Sequence, residues 1–590
     1  MNAKSKTVAG AQEAAGQEAV ARLDAMYEFD REPVTPDRFE PGRHFAGNFA
    51  GEHVAATEFV IGALFVSWGA AVPDILFGLL LGNLLAVLSW TLVCAPIAVD
   101  TRLTLYWYLR KIAGPGVTLL YNVLNATLYC VLAGAMITVS ASAVRLPFGI
   151  APQTGWIPQD LRFVLVVLVV GAVVVTLAIL GFKRLAQFAS VTAPWLLLMF
   201  VAGALVLLPR LAASVPEIGT LHSLGDFWRL AKAAVWTGTP ATPGTPALGF
   251  WHVAAFAWIA NLAMHLGLSD MALFRYAKKA SYGLYSAIGM FMGHYLAWVA
   301  AGIMGAGAAL LLRTPLIQLD AGAVAFAALG VAGAVAVVIA GWTTSNPTLY
   351  RAGLAFQAVS PGWPRWVVTL IAGALTTLIA CSPFVFTRLL DFVGVYGLLL
   401  VPIGTIVVVE HWLFPRMGFT RYWASRRGQR WNVPALASWG IAIAVAVILW
   451  QTGTVHLFFL LVPTWILTAL LYISLAAWAG ARQPADALGP APIETAAETA
   501  TPAANEPPAA AQRPTLIAAP IPAWVWALGV IAVGALVACF VLPLRFFLGG
   551  GANYTARVAT LQTTLAWVSL VYFASGTAWA YLKERYTGEF

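Results

Sequence analysis

The stretch FAWIANLAMHLGLSD, residues 256–270, lies inside a hydrophobic segment that is long enough to cross a bilayer. It nevertheless contains an asparagine, a histidine, a glycine and, at its end, Asp270. An aspartate at the centre of a membrane helix costs roughly 2.5–3.5 kcal/mol on insertion scales, so such a group faces the bundle interior or water. The stretch therefore predicts a helix that is interrupted because it lines a polar cavity.

The composition of the whole chain is that of a membrane protein. Of its 590 residues, 60% are hydrophobic and only 10% are charged, and the mean hydropathy is +0.79. Soluble domains are about 25% charged. Apolar runs of about 20 residues recur without the period-2 alternation of a membrane barrel. These features predict an all-α polytopic fold with about fourteen transmembrane helices, numbered here as spans one to fourteen: 58–76, 77–97, 116–143, 162–181, 186–208, 251–274, 282–312, 319–345, 364–386, 390–413, 433–452, 455–479, 521–544 and 560–582.

The segments between and around the spans suggest five regions. Residues 1–57 are predicted to be a polar cytoplasmic tail without a signal-peptide layout. Spans one to ten, residues 58–413, form the predicted transporter core, and residues 433–480 supply spans eleven and twelve. Residues 481–518 are rich in Pro and Ala, which predicts a disordered linker before an extra helix pair at 519–590. Residues 211–250 are expected to be an amphipathic stretch outside the membrane.

Lys and Arg residues predict the orientation of the chain. With the N-terminus inside, most of the 34 basic residues fall on the cytoplasmic side, including Arg275 and Arg351 in predicted loops. The expectation is a multi-pass protein of the plasma (inner) membrane with both termini cytoplasmic. The net charge of +9 then belongs to a basic face beside anionic lipid, and no nucleic-acid partner is expected.

A second interruption is predicted near the start of the chain. The stretch SWGAAVPD, residues 67–74, places Gly69 and Pro73 ahead of Asp74, much as Gly267 precedes Asp270 in span six. Spans one and six are equivalent if the core consists of two five-helix repeats. A matched pair of interrupted spans is the sequence feature that points to a transporter's binding site. The alternative is that the two stretches are unrelated kinks.

In each of two predicted helices, an aromatic ring and amide or imidazole groups are spaced so that they lie on one helical face. These residues are Trp258, Asn261 and His265 in span six, and Asn122, Asn125 and Tyr129 in span three. Such a surface suits a flat heterocycle, because the ring can stack while its edges form hydrogen bonds. The polar residues are alternatively contacts between helices. His265 is also a candidate proton carrier.

The third constellation is GWTTSNPTLYRAG, residues 341–353, where Pro347 is expected to end span eight. The hydroxyls of Thr343 and Thr344 are hard oxygen ligands that suit Na⁺, together with carbonyls freed at the break in span one. Gly69 is placed with this cation and Trp68 with the substrate, since both lie at the predicted break. A Thr pair alone is a weak indication, because membrane threonines commonly bond to the preceding turn.

Four of these stretches resemble the nucleobase–cation symporter family, which includes cytosine permeases, purine–cytosine permeases, and hydantoin and allantoin transporters. They are WGAAVPDILFGLLLGNLL, SDMALFRYAKK, WTTSNPTLYRAGLAF and VPIGTIVVVEHWLF, and the resemblance covers about residues 45–480. It implies two inverted five-helix repeats with broken first and sixth helices. It also implies uptake of a nucleobase or related ring with Na⁺ or H⁺.

The resemblance also implies roles for individual residues. The sodium-binding hydroxyls of the family match Thr343 and Thr344, and its substrate-binding asparagine matches Asn346. Its two ring-stacking aromatics fall near Tyr129 and near Trp258 or Asn261. Two departures leave the substrate open. Arg275 follows Asp270 by five residues rather than three, and a span-three glutamine of some relatives is absent where Leu132 and Ala133 stand.

The expected function is cation-coupled uptake of a small heterocycle by alternating access, with a small-molecule substrate, a coupling cation and the lipid bilayer as partners. No enzyme motif of the HExxH, GxSxG or Walker type is present in the sequence, and no cofactor is expected beyond the coupling ion. Two alternatives remain. One is a carrier of another small solute, such as an amino acid or a vitamin precursor, and the other is a non-transporting sensor on the same fold.

Overall fold

The computed structural model describes residues 31–153, 155–384, 389–490, 520–550 and 553–587. Helices make up most of this part of the chain, and its only β-type pairings are the isolated bridges Glu40–Ala277 and Ala71–Thr237. Ten of the described helices are long and apolar enough to cross a membrane, or eleven if one bent pair counts as a single span. The predicted all-α polytopic fold is confirmed, whereas the count of fourteen is not.

Apolar side chains on the outside of the bundle mark the surface that lipid covers. On span two, Leu80, Leu84, Leu88 and Leu92 follow one another at four-residue intervals and are all exposed. An apolar stripe of this size on a soluble protein would need a partner, and here the bilayer supplies it. The inner faces of the same helices bury alanine, glycine and aromatic residues against their neighbours.

Helices are found in the region of every predicted span. Their bounds, in chain order, are Gly42–His53 with Ala56–Ser67, Val72–Thr101, Leu105–Val144, Leu161–Ile179, Phe182–Ala213, the three short helices Phe250–Ile259, Leu262–His265 and Met271–Phe274, then Ala280–Leu312, Ala321–Leu329 with Val331–Gln357, Arg365–Ala380, Phe392–Arg416, Val433–Gln451, Leu461–Ala476, Ala523–Leu548 and Tyr554–Thr587. Spans six, eight and nine account for the lower count. Span six is broken, and span nine has only 16 residues. Span eight is divided at Gly330, and its longer helix, Val331–Gln357, has a polar second half.

Span one differs from its predicted position. Its first half, Gly42–His53, lies in the segment that was expected to be a polar tail, and its second half is Ala56–Ser67. The two halves meet at an angle of 50° across Val54 and Ala55, which we call break one. The first half reads as polar because it contains Arg43, His44, Glu52 and His53, yet the last three of these are buried.

The stretch SWGAAVPD is therefore a loop rather than a break. Gly69 has a left-handed φ of +70° there, and Val72 begins span two. The carboxylate of Asp74 accepts a hydrogen bond of 3.2 Å from the backbone N–H of Ala71, so it caps span two. The expectation that Asp74 lines a cavity with Asp270 is wrong, because Asp74 lies at the start of span two, whereas Asp270 bonds to Trp90 much further along the same span.

Span eight also extends beyond its predicted end. Its helix continues from Val331 through Pro347 to Gln357, although Pro347 was expected to stop it. Arg351 was expected in a cytoplasmic loop, but it lies in this helix and is fully buried, as is Arg275 after span six. A proline is tolerated inside a membrane helix where neighbouring groups satisfy the freed carbonyl.

The segments outside the core pack against it. In the stretch after span five, Ala241 donates its backbone N–H to the Ser67 carbonyl (2.8 Å) and Leu248 donates to that of Trp68 (3.2 Å). Spans thirteen and fourteen lie against span five, where Trp195 donates to Ser569 at 2.9 Å and Tyr572 donates to the Val191 carbonyl. The predicted linker falls mostly outside the described residues, as do residues 1–30 of the predicted tail.

Candidate substrate and cation site

The interruption predicted in span six is present in the structure. The helix Phe250–Ile259 ends there, and residues 260–270, which we call break six, contain only one short helical turn. Leu268 adopts a left-handed φ of +65°, and the N–H groups of Ser269 and Asp270 bond six residues back, to the carbonyls of Ala263 and Met264. A non-glycine residue with positive φ is uncommon and is found where surrounding structure enforces it.

A buried ion triad connects both breaks to span eight. The Arg351 guanidinium donates to Glu52, which ends the first half of span one, at 2.6 and 3.0 Å. It also donates to Asp270, at the end of break six, at 2.9 and 2.5 Å. Trp90 of span two adds a bond of 2.7 Å to Asp270. Since all three charged side chains are buried, each depends on the others for its stability.

Sequence reasoning found Asp270 but missed its partners. Glu52 stood in a segment interpreted as a tail, and Arg351 in one interpreted as a loop. The signal that could have revealed them is the need of a buried carboxylate for a positively charged partner. A lone aspartate inside the membrane requires a cation, and Arg351 follows the Thr-Thr motif by only two helical turns.

Four oxygen atoms lie close together between break one and span eight. The Thr344 hydroxyl is 3.2 Å from the Glu52 carbonyl and 3.1 Å from the Ala340 carbonyl, and the Thr343 hydroxyl is 3.0 Å from the latter. Pro347 has no N–H to donate to the Thr343 carbonyl, which frees one more oxygen. The C-terminal end of a half-helix and neutral hard oxygens are the donors that fit Na⁺ in a membrane interior.

Gly69 does not belong to this group of oxygens. Twelve residues of helix, Ala56–Ser67, separate it from break one, a rise of about 18 Å. Gly69 instead packs against the backbone of Thr239 and Pro240. Trp68 lies beside it, where its ring contacts Phe65, Phe256 and Phe458 at the end of the bundle. Neither residue is near the breaks where a substrate was expected.

Several polar groups in the interior are buried without a hydrogen-bond partner among the described residues. They include both amide atoms of Asn125 and of Asn346, and the hydroxyls of Tyr106 and Tyr121. Tyr129 does have partners, since its hydroxyl bonds to Ser269 of break six and its ring lies 5.7 Å from that of Tyr396. Buried polar groups are nearly always paired, so these unpaired neutral groups indicate places for a polar ligand or water.

The stripe predicted on span six does not form one face, because the helix ends between its members. Trp258 donates to Ser89 of span two at 3.0 Å, and Asn261 lies 3.4 Å from a ring nitrogen of His294 on span seven. His265 turns back to the Trp258 carbonyl at 2.9 Å, which leaves its other ring nitrogen without a partner among the described residues. Helical spacing was therefore the wrong guide beyond residue 259.

A cavity of about 360 Å³ opens on the lipid side of break six. Its walls are almost entirely apolar and include Trp258, Leu266, Leu88, Leu92 and Trp465. Leu88 and Leu92 belong to the exposed stripe of span two, so this cavity faces the bilayer. It lacks the polar groups that would orient a hydrophilic ring.

Comparisons with known proteins identify the fold. No family model matches the chain, and no curated protein matches it. Among solved structures, the chain is similar to Mhp1, a nucleobase-cation-symport-1 family transporter in a closed conformation with bromovinylhydantoin bound, with a TM-score of 0.57 and 16% identity over 77% of this chain and 96% of that one. It is also similar to a Na⁺-coupled sialic acid symporter in a substrate-bound outward-open state, with a TM-score of 0.54 and 15% identity over 78% and 96%.

These likenesses confirm the predicted resemblance at the level of the fold. Both solved structures are multi-pass membrane transporters and neither is an enzyme, in agreement with the sequence analysis. At identities of 15–16%, neither comparison carries a substrate to this chain. The inverted repeats stay a prediction.

Proposed function

We propose that this chain is a secondary active transporter that takes up a nucleobase or a related small heterocycle together with a cation, by alternating access. The single observation that carries the proposal is the meeting of two helix breaks beside buried polar groups that lack partners. Broken helices at the interface of the bundle are where transporters of this architecture bind their substrates. We further propose that the protein lies in the inner membrane with both termini cytoplasmic.

The chemistry of the unpaired groups favours an uncharged ring. Asn125 and Asn346 each offer an acceptor and two donor hydrogens, and Tyr106 and Tyr121 add hydroxyls. Amide groups of this kind match the alternating donors and acceptors on the edge of a pyrimidine, purine or hydantoin. The interior charges of Glu52, Asp270 and Arg351 are already paired with one another. A zwitterionic amino acid would need charged partners, so it is the weaker candidate.

We propose that the coupling cation is Na⁺ and that it binds at break one. Thr343, Thr344 and the Glu52 and Ala340 carbonyls would hold the ion, and the Asn346 amide follows two residues later on the same helix. Na⁺ would neutralise the partial negative charge at the end of the first half-helix and fix break one in place. Substrate and cation then favour each other's binding, which a carrier needs if a gradient of one is to drive the other.

Uptake into proteoliposomes tests the proposal. We expect accumulation of at least one of cytosine, uracil, hypoxanthine, allantoin or benzylhydantoin when an inward Na⁺ gradient is applied, and less when K⁺ replaces Na⁺. The variant Asn125→Ala should bind the transported compound about tenfold more weakly, because one or two hydrogen bonds of about 1 kcal/mol each are lost.

The matched control is Thr127→Ala on the same helix, since Thr127 is exposed and bonds only to the Val123 carbonyl of its own turn. It should transport as the parent does. Binding of a panel compound without any accumulation would support the sensor instead. Accumulation of an amino acid but of no heterocycle would contradict the proposed substrate class.

A further inference from the structure

Glu58 is a buried carboxylate for which neither the sodium site nor the ion triad accounts. It lies in the first turn of the second half of span one, four residues after Val54, and only 1% of its surface is exposed. Unlike Glu52 and Asp270, it has no Lys or Arg partner among the described residues. Its partners there are the Trp298 indole N–H, the Thr57 hydroxyl at 3.1 Å, and His294, whose Nε2 is 3.6 Å away.

His294 connects this carboxylate to break six. Its ring stacks on Trp298 with centroids 4.3 Å apart, and its other nitrogen, Nδ1, lies 3.4 Å from the amide nitrogen of Asn261. With the amide N–H donating to Nδ1, a neutral imidazole carries its hydrogen on Nε2, where it points at Glu58. The series Glu58, His294 and Asn261 thus joins the second half of span one, span seven and break six.

A carboxylate buried without a cation is costly, and the usual outcome is that the group binds a proton. We propose that Glu58 and His294 form a proton-binding pair, and that transport is coupled to a proton gradient through it. This inference rests on the proposed function, since a proton site drives uptake only in a carrier. It adds a second coupling ion at a place separate from the sodium ligands.

The proton balance of the pair suggests how it acts on the substrate site. A proton taken from water on one side of the membrane binds to the Glu58 carboxylate or to His294 Nδ1, and it is released to water on the other side. If His294 holds it, Nδ1 becomes a donor, and the Asn261 amide must rotate to present its oxygen. Protonation therefore changes a side chain of break six directly, without any bond to the substrate.

Other ligands fit this pair less well. A metal ion would need more donors than one carboxylate and one imidazole, and the described residues contain no group of three His, Cys, Asp or Glu side chains placed to hold a metal. The other titratable group that acts on the pair is His53, whose ring centre is 5.1 Å from that of His294. His53 Nδ1 is already engaged with the Phe49 carbonyl at 2.8 Å.

The test uses the full chain in proteoliposomes and the panel compound that the parent accumulates most. We expect an inward proton gradient, acidic outside, to increase accumulation in the parent at fixed Na⁺. Glu58→Gln, which resembles the protonated acid, should bind the compound within about twofold of the parent and exchange labelled for unlabelled compound. It should lose the response to the proton gradient, and His294→Gln should lose it as well.

Glu410→Gln is the matched control, because Glu410 is also buried and accepts only from uncharged donors, Tyr472 and the backbone N–H of Tyr422. It should keep the parent's response. A parent that accumulates the compound but ignores the proton gradient overturns the inference and leaves the proposed function standing. Absence of any uptake in the parent defeats the proposed function itself. Equal loss in Glu58→Gln and Glu410→Gln overturns the assignment to Glu58.

If Glu58→Gln does not yield folded protein, infrared spectroscopy of the purified parent and of His294→Gln decides the same point. A titrating carboxylic-acid C=O band in the parent that shifts in His294→Gln supports the pair. A band that is unchanged by the substitution, or missing at every pH, overturns it.

Discussion

Break one and break six interrupt their helices in the same region of the bundle, but they are built from different chemistry. Break one spans only Val54 and Ala55 and is flanked by ionisable side chains, Glu52, His53 and Glu58, with the four-oxygen group beside it. Break six is longer, and beside neutral polar groups it contains His265 and one carboxylate, Asp270 at its end. The difference suggests a division of labour, in which break one handles ions and break six, with span three, handles the substrate.

The triad pairs buried charges from both breaks with span eight, so its loss should have the largest effect. Arg351→Met leaves Glu52 and Asp270 buried without their cation, at a cost of roughly 3–5 kcal/mol. We expect a large fall in the melting temperature of the purified protein, followed by fluorescence-detected gel filtration, or no folded protein at all. Arg162→Met is the control, because Arg162 pairs with Asp160 on the surface, where solvent screens the pair and it contributes little to stability.

The neutral triple variant Glu52→Gln, Asp270→Asn, Arg351→Met sharpens this prediction. It removes the charges together, so it should recover much of the stability that the single substitution loses. Equal melting of Arg351→Met and the parent would show that the triad is not what joins the breaks to span eight.

The two breaks differ in how well the sequence predicts them. Break six was predicted because Asn261, His265 and Asp270 stand out inside an apolar run. Break one was misplaced because its first half-helix, GRHFAGNFAGEH, has the composition of a surface segment. Glu52 is buried there because Arg351, which is distant in sequence, pairs with it. Such tertiary contacts override local composition, and a single sequence does not display them.

The same limit applies to the site residues. The spacing of Asn122, Asn125 and Tyr129 could be used because span three is an uninterrupted helix at these positions. The equal spacing of Trp258, Asn261 and His265 predicted one helical face, which does not form because the helix ends at Ile259. Side-chain chemistry was enough to predict a cation site at Thr343 and Thr344, and that site stays a prediction. The Glu52 carbonyl beside Thr344 could be named only once the position of break one was known.

A glycine of a neighbouring helix also packs closely against each break. Substituting one of these glycines should therefore disturb one break and leave the other in place. A methyl group at Gly293 of span seven would collide with the His53 carbonyl, and one at Gly404 of span ten would collide with the Leu266 carbonyl. Overpacking typically costs about 1–3 kcal/mol. We therefore expect both Gly293→Ala and Gly404→Ala to lower uptake by about tenfold or more, measured at equal amounts of reconstituted protein.

The division of labour predicts that these two variants fail differently. Gly293→Ala should mainly reduce the stimulation by Na⁺, whereas Gly404→Ala should mainly weaken substrate binding. Gly440→Ala on span eleven is the control, since no atom lies within 4 Å of the added methyl group, and it should transport normally. Identical losses of ion and substrate dependence in both variants would contradict separate roles for the breaks.

The smallest effect should come from removing the hydroxyls of the proposed sodium site without moving either break. Thr343→Ala/Thr344→Ala deletes two side-chain ligands while the Glu52 and Ala340 carbonyls remain. In the parent we expect Na⁺ to tighten substrate binding by roughly 5–150-fold, the usual range of such coupling. In the double variant this factor should fall towards one, with little change in the Kd measured without Na⁺, because the substrate's own contacts are intact.

Thr348→Ala is the matched control, since its hydroxyl bonds only to the Thr344 carbonyl of its own helix. If Na⁺ tightens substrate binding as much in the double variant as in the parent, the cation does not bind at break one. The contrast between an ion-binding and a substrate-binding interruption would then be contradicted as well.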